Sequence, residues 1–444
     1  MNELKKTLAF GGIALILALL AFLTAPRQVT PDAFLDLGEP FFPEFTDPNA
    51  ATTLEVIEFD EDTASARPFK VTNQNGIWTI PSHFNYPADG KDRLAKTAAG
   101  IINIKKDAFR SSNVADHEAC GVIDPLDETA TSLKGRGKRI TIKGAGDKVL
   151  ADLIIGKELE DHEGYHFVRL PDQKRVYAAK IDVDISTKFE DWIEKDLLKV
   201  TRSDIDQIVI KDYSVNERTQ SLDQRDQIVL EKDGVKWTMR KLPPGKRINT
   251  AKVSSLVSAI DNLSIVGVRP KPPGLSERLK QVDTLKDTDR LSLQYKGYYF
   301  TADGSLVSNE GEIQVRTKKG LLYTLRFGEI VADDSESAAD SSNGHTSKNR
   351  YLFVSVDFLE DLNPEPPIPS NTDFETKPEE DWNDEDRENK RIHDEHEKWL
   401  KEMEENRKLA KELADRFAGW YYVISGEAFD KVHLKRSDLL LDKK

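Results

Sequence analysis

Hydrophobic and polar positions alternate along much of the chain, and the same order of alternation starts again near its middle. "TLEVIEF" (53–59) has the period of a strand with one buried face. "PFKVTNQNGIWTI" (68–80) then predicts two strands about an Asn-Gly turn, the dipeptide that supplies the positive φ angles of a two-residue hairpin. "ADGKDRLAKTAAGIINI" (88–104) changes to helical spacing, with Leu94, Ala98, Ile101 and Ile102 on one face. "KRITIKGAGDKVLADLIIG" (138–156) predicts strand, Gly-rich turn and strand, and "GYHFVRL" with "RVYAAKI" a further hairpin. "FEDWIEKDLL" (189–198) predicts a short amphipathic helix carrying Phe189, Trp192, Ile193 and Leu197.

From residue 201 each of these signals recurs. "DIDQIVIKDY" (204–213) alternates like the first strand, and "DQIVLEKDGVKWTM" (226–239) is a hairpin with an Asp-Gly turn. Its Trp237 stands 159 residues after Trp78 of the first hairpin. "INTAKVSSLVSAIDNLSIVGV" (248–268) supplies the helix, with Val253, Leu256, Val257, Ile260 and Leu263 on one face. "GEIQVRTKKGLLYTLRFGE" (311–329), "RYLFVSV" (350–356) and "WYYVISGEAFDKVHLKRSDLL" (420–440) repeat the remaining elements. A period this long means tandem copies of a domain rather than a solenoid. The pattern predicts an α+β protein of two tandem related domains, each an antiparallel sheet packed with helices, at 52–200 and 201–444.

The N-terminus departs from this polar average. After "MNELKK", residues 7–25 run for 19 positions without a charge, about the length that crosses a bilayer core and longer than the apolar region of a cleavable signal peptide. Leu23 and Pro26 give a poor cleavage site, so residues 1–25 are expected to be an uncleaved signal anchor. Lys5 and Lys6 would stay cytoplasmic, making the chain a single-pass inner-membrane protein with residues after about 26 outside. Residues 26–51, rich in Pro, Asp and Phe, predict an extended stalk.

The second copy carries two insertions. "ADDSESAADSSNGHTSKN" (332–349) has the composition of a disordered loop. Residues 360–418 begin Pro-rich and acidic, read as extended or disordered, and continue as one long charged helix stopping at Gly419. Ile392, Trp399, Met403, Ala410, Leu413 and Phe417 form a narrow apolar stripe on it. That stripe either lies across its own domain or, through Ile392, Trp399, Met403, Leu413 and Phe417, is a surface for a partner helix.

Composition excludes several classes. A net charge of −14 argues against nucleic acid, and the short run "KGRGKR" (134–139) does not reverse it. No nucleophile elbow, phosphate-binding loop or Ser-x-x-Lys set is present, so no catalytic or cofactor-binding residue and no cofactor are implied. "HEGYH" has the letter spacing of a zinc protease, yet His162 and His166 fall in a hairpin, where residues four apart lie about 13 Å from each other. His393 and His396 could share a helix face, and acidic neighbours on a solvated helix explain them as well. Cys120, the single cysteine, reads as a small buried residue. Trp78, Phe84, Tyr86 and Trp237 read as core packing rather than a ligand groove.

The anchor, the Trp hairpin, "ADGKDRLAKTAAGIINI", "CGVIDP", "ITIKGAGDKVLADLIIGK", "GYHFVRLPDQKRVYAAKI" and "FEDWIEKDLL" together resemble the bacterial domain-of-unknown-function family numbered four-three-four-zero. "CGVIDP" stands where that family usually has an aromatic-Gly-Leu turn. Its members are similar to extracytoplasmic auxiliary subunits of gliding-motility-type ABC export systems, so the resemblance implies protein partners in a membrane complex and carries over no catalytic residue. Two alternatives accompany that expectation: an envelope hydrolase acting on polysaccharide or peptide, and a spacer presenting the long helix to a partner. The small-molecule ligand, if any, is not named by the sequence.

Overall fold

The computed structural model describes residues 13–18, 36–216, 219, 221–279, 282–331 and 348–443. Residues 13–18 are helical with exposed apolar side chains; the rest of the expected anchor, the first part of the stalk and most of the loop at 332–349 lie outside the described residues. Among the described residues no helix is long and apolar enough to cross a membrane. The chain divides into two compact units, Met1–Lys70 with Lys91–Ile185, and Val71–Gly90 with Ser186–Lys444. Residues 71–90 and 186–200, expected in the first domain, therefore group with the second unit.

The expected α+β class, with antiparallel sheets and helices, is what the chain forms. The first sheet contains β1 (Thr53–Asp60), β2 (Ser65–Gln74), β3 (Ile77–Ile80), β4 (Tyr86–Pro87), β5 (Ala108–Ser111), β6 (Lys138–Lys143), β7 (Val149–Leu159), β8 (His162–Arg169) and β9 (Val176–Lys180). Its order is β4-β3-β2-β1-β6-β7-β8-β9-β5. The second sheet contains β10 (Ile205–Asn216), β11 (Ser221–Asp233) and β12 (Lys236–Met239), and after the small strand β13 (Lys246–Ile248), β14 (Gly267–Pro270). A separate hairpin, β15 (Tyr298–Phe300) and β16 (Leu306–Ser308), precedes β17 (Glu312–Thr317), β18 (Leu321–Ile330), β19 (Arg350–Phe358) and β20 (Trp420–Ile424); β21 (Leu440–Asp442) pairs with β13. The order is β12-β11-β10-β17-β18-β19-β20-β14. Counting strands from the start of each sheet, the first order from β3 to β5 and the second from β12 to β14 are the same path.

Local chemistry accounts for the elements. Asn75 and Gly76 hold φ of 55° and 84° in the two-residue turn that pairs Gln74 with Ile77, and Gly234 at 57° makes the matching turn between Asp233 and Lys236. Helix α1 (Lys91–Ile102) buries Leu94, Ala98 and Ile101, while α2 (Thr250–Asp261) buries Val253, Leu256, Val257 and Ile260 and is capped by the Asn249 side chain on the Lys252 amide. In the first unit, residues 36–51 do not stand off as a stalk. Phe41 and Phe45 are buried, and Asp36 accepts from Tyr177 Oη at 2.7 Å and Lys106 Nζ at 3.0 Å.

Two further helices complete the second unit's frame: α3 (Asp287–Gln294) and α4 (Asp384–Ala418). A last one, α5 (Gly426–Val432), packs on α2. The predicted helix at 189–198 is only a 3₁₀ turn, Phe189–Asp191, followed by irregular chain. Its apolar residues are buried as expected, but Trp192 donates to the Ser186 carbonyl at 3.0 Å instead of entering a helix.

Candidate functional site

The part of the molecule that differs most from a plain sheet is the long arm β10–β11 and the α3–β15–β16 insertion beside it. From Tyr213 to Asn216 and from Ser221 to Gln224 the two arm strands pair with each other, beyond the last β10–β17 pair at Lys211 and Glu312. At the arm's base Glu312, buried to 5% exposure, accepts from Lys211 Nζ at 2.7 Å and from Tyr213 Oη at 3.3 Å. Arg326 Nε stands 3.2 Å from its second oxygen and also donates to the Leu306 carbonyl. Burial, then the charge of Glu312, pushes the Tyr213 phenol up to about 12, so it stays a neutral donor. A carboxylate desolvated this far needs such partners, and here they stitch β10, β17, β18 and β16 together.

Two grooves open against this base. The first, of about 620 Å³, lies between the arm tip (Val215, Leu222) and the insertion (Leu291, Tyr295, Tyr299, Phe300). Tyr295 is 79% exposed and the Arg290 guanidinium lies 5.6 Å from the Phe300 ring centre. The second, of about 710 Å³, is polar: Gln224, Gln227 and Gln314 line it with five cationic and three anionic side chains. Most of those cations are engaged, Arg225 with Asp212 at 2.7 Å and Arg436 with both oxygens of Asp226 at 2.8 and 2.7 Å. Lys241 in the second groove and Arg290 in the first have no carboxylate partner among the described residues. Leu222 and Val307 line both grooves.

The long helix α4 forms as read from the sequence, opened by a capping box in which Asn383 and Asp386 exchange side-chain and backbone bonds of 2.8 and 3.0 Å. Its stripe turns inward. Met403, Leu413 and Phe417 are 2–3% exposed and α4 packs on β19, while Ile392 and Trp399 are half-buried. The stripe therefore belongs to the second unit's own packing, and the expected partner surface at Met403, Leu413 and Phe417 is corrected. The Pro-rich segment before the helix is neither free nor disordered. It runs antiparallel along α4, with Arg407 on Glu360 at 2.8 Å, Trp399 Nε1 on the Asn363 carbonyl at 3.0 Å, His396 on Glu365 at 2.9 Å, Ser370 on Asn389 at 3.1 Å and Lys377 on Asp386 at 2.7 Å.

At the other end of α4 the last carbonyls all find donors. Tyr422 Oη serves Arg416, Lys271 Nζ serves Phe417 at 2.9 Å, Ser276 Oγ serves Ala418, and the Lys271 amide serves Gly419. Lys271 is 6% exposed, its ammonium 3.8 Å from the Phe353 ring centre. Burial and, secondarily, the Arg326 charge bring its amine down to about 7; the ring face and the helix C-terminus pull the other way.

The remaining residues singled out in the sequence have ordinary surroundings. His166 Nδ1 lies 3.2 Å from the Gly156 carbonyl and His162 is exposed on the same strand; His393 and His396 each face one carboxylate, Glu375 at 3.9 Å and Glu365. Among the described residues no three His, Cys, Asp or Glu side chains gather as metal ligands. Cys120 is buried, which with the nearby Asp116 charge pushes its thiol up. Arg136 of the basic run reaches four carbonyls, those of Asp124, Pro125, Ala130 and Ser132. Trp78 and Trp237 are half-buried rather than core; Lys232 Nζ lies 6.0 Å from the Trp237 ring centre. Phe84 is 49% exposed under Arg269, whereas Tyr86 is buried against Phe189 and Trp420.

Residues 78–283 match the model of a family described as Domain of unknown function (DUF4340). Over that stretch, a little under half of the chain, the sequence is similar to DUF4340. No curated protein and no solved structure matches it. The DUF4340 region starts on Trp78 of the first hairpin and takes in strands of both sheets, up to β14. It includes the arm, but α3, β15, β16 and α4, which wall the first groove and brace the second unit, follow it. Residues 269–310 give little signal in the sequence, since an eight-residue helix and two three-residue strands leave no long period.

Proposed function

We propose that this chain is a membrane-anchored extracytoplasmic binding or assembly module, an accessory subunit of an ABC-type transport or envelope complex rather than an enzyme. The observation that carries the reading is the common strand order of the two sheets. It supports two tandem related domains, at 52–200 and 201–444, one plain and one elaborated by the arm, the grooves and the braced helix. Duplication followed by elaboration of a single copy is a route to a presenting surface built on rigid elements. The apolar run at 7–25 behind Lys5 and Lys6 supports the anchor and the inner-membrane, outward-facing placement. The bonding of Glu312 supports a structural role for that carboxylate: each oxygen already serves two side chains, an arrangement that fixes strands and leaves little freedom for proton transfer. The test is gentle detergent extraction of native membranes followed by sizing and affinity isolation of the full chain. Recovery in a discrete assembly larger than the chain is expected, and recovery only as free monomer would sink the reading.

A further inference from the structure

We infer that the two grooves of the second unit form one track that binds a linear acidic polysaccharide. Leu222 and Val307 line both grooves, so the aromatic groove and the polar groove share a wall on one surface. The aromatic half offers a flat face in Tyr295, 79% exposed, and Leu291, 52% exposed, lines the same groove. Sugar rings present planar C–H faces that stack on such rings, while their hydroxyls need planar donors and acceptors around the edge. The polar half provides these in Gln224, Gln227 and Gln314. Charge then selects among glycans. The polar groove holds five cationic and three anionic side chains on a chain of net charge −14, opposite in sign to the whole. Of the cations that line the grooves, Arg290 in the first and Lys241 in the second have no carboxylate partner among the described residues, and the first groove's own carboxylate, Glu329, accepts from Asn309; one such cation in each groove suits a polymer with repeated carboxylates.

An extended acidic peptide fits the same surface less well. It would add to the outer edge of β11, where Ser221–Asp226 pairs only with β10, and would there meet Asp223 and Asp226.

The inference rests on the binding-module reading and names the ligand class of its elaborated copy. It is tested by titrating the detergent-purified full chain with a hexameric oligogalacturonate at low ionic strength, beside maltohexaose and hexaglutamate. The uronate is expected to bind, and Tyr295→Ala and Lys241→Glu, both changes of exposed side chains, are each expected to weaken it about tenfold or more. Rising salt should weaken it further. Absence of uronate binding, equal binding of maltohexaose, tighter binding of hexaglutamate, or variants that bind like the parent would each overturn it. A chain that is isolated in its complex but ignores the uronate defeats this inference alone. One that binds the uronate but is extracted as a monomer defeats only the assembly reading.

Discussion

Lys271 shows how one residue can govern an element far from it in sequence: its Nζ caps the carbonyl of Phe417, 146 positions away. With the folded amine at about 7 and a free lysine near 10.4, the unfolded chain holds more protons between those values. Stability should therefore rise with pH through that window, by roughly 4–5 kcal/mol at most from this group. Melting curves at pH 7 and 9.5 are expected to show the rise in the parent and a flatter response in Lys271→Met. An equal rise in both would assign it to other groups. Glu312→Gln should cost roughly 3–5 kcal/mol, because Lys211 and Arg326 would keep their charges beside a neutral amide; chemical denaturation reads this directly. Glycines give a sharper contrast. At Gly76, φ is 84° but a Cβ meets nothing within 4 Å, whereas at Gly311, with φ of 72°, it would lie 2.4 Å from the Lys211 carbonyl oxygen. Gly76→Ala should lose only about 1 kcal/mol of backbone preference, and Gly311→Ala several-fold more, by shifting the β10–β17 pairing. None of these bonding roles is written locally. Asn-Gly announces its own φ angles, but nothing in "RPKPPG" reveals a buried cap.

Elements were legible wherever their period exceeded about two helical turns or four strand positions. The two hairpins, α1, α2 and α4 fall where the pattern puts them, since each buries one face of its own repeat. "FEDWIEKDLL" fails because its apolar side chains are buried without a helical backbone, the Trp192 indole donating to the Ser186 carbonyl and its own carbonyl accepting from Asp89. The Pro-rich strap fails in the opposite direction. Its composition lacks any core period, yet individual side chains of α4 hold it, and sequence alone does not pair Trp399 with Asn363. Trp399→Ala is expected to free the strap's middle, so that limited proteolysis within 363–378 speeds up severalfold while the melting temperature of the unit changes little. Unchanged cleavage would mean that the other four contacts suffice. The inward stripe makes a further expectation: Leu413→Asp, 2% exposed in the parent, should destabilise the second unit by several kcal/mol and be seen as early unfolding by circular dichroism.

At the scale of the whole chain, the sequence conveyed class and repetition better than it conveyed sites. Two runs of the same elements could be read from hydrophobic period alone, and the strand orders now follow one path twice. The grooves could not be read, because short elements of the second unit help to wall them and distant charges such as Arg436 and Asp226 pair there. The DUF4340 match spans 78–283, so it takes in the arm that lines both grooves and ends before α3, β15 and β16. The proposed membrane attachment and company hang on one claim, that the chain works as an outward-facing subunit of a larger assembly. The most direct measurement is the mass of the full chain extracted from its native membrane in mild detergent. A discrete complex several times heavier than the 444-residue chain is expected, retained when the membrane is washed with salt. A monomer released into the soluble fraction by that wash would contradict it.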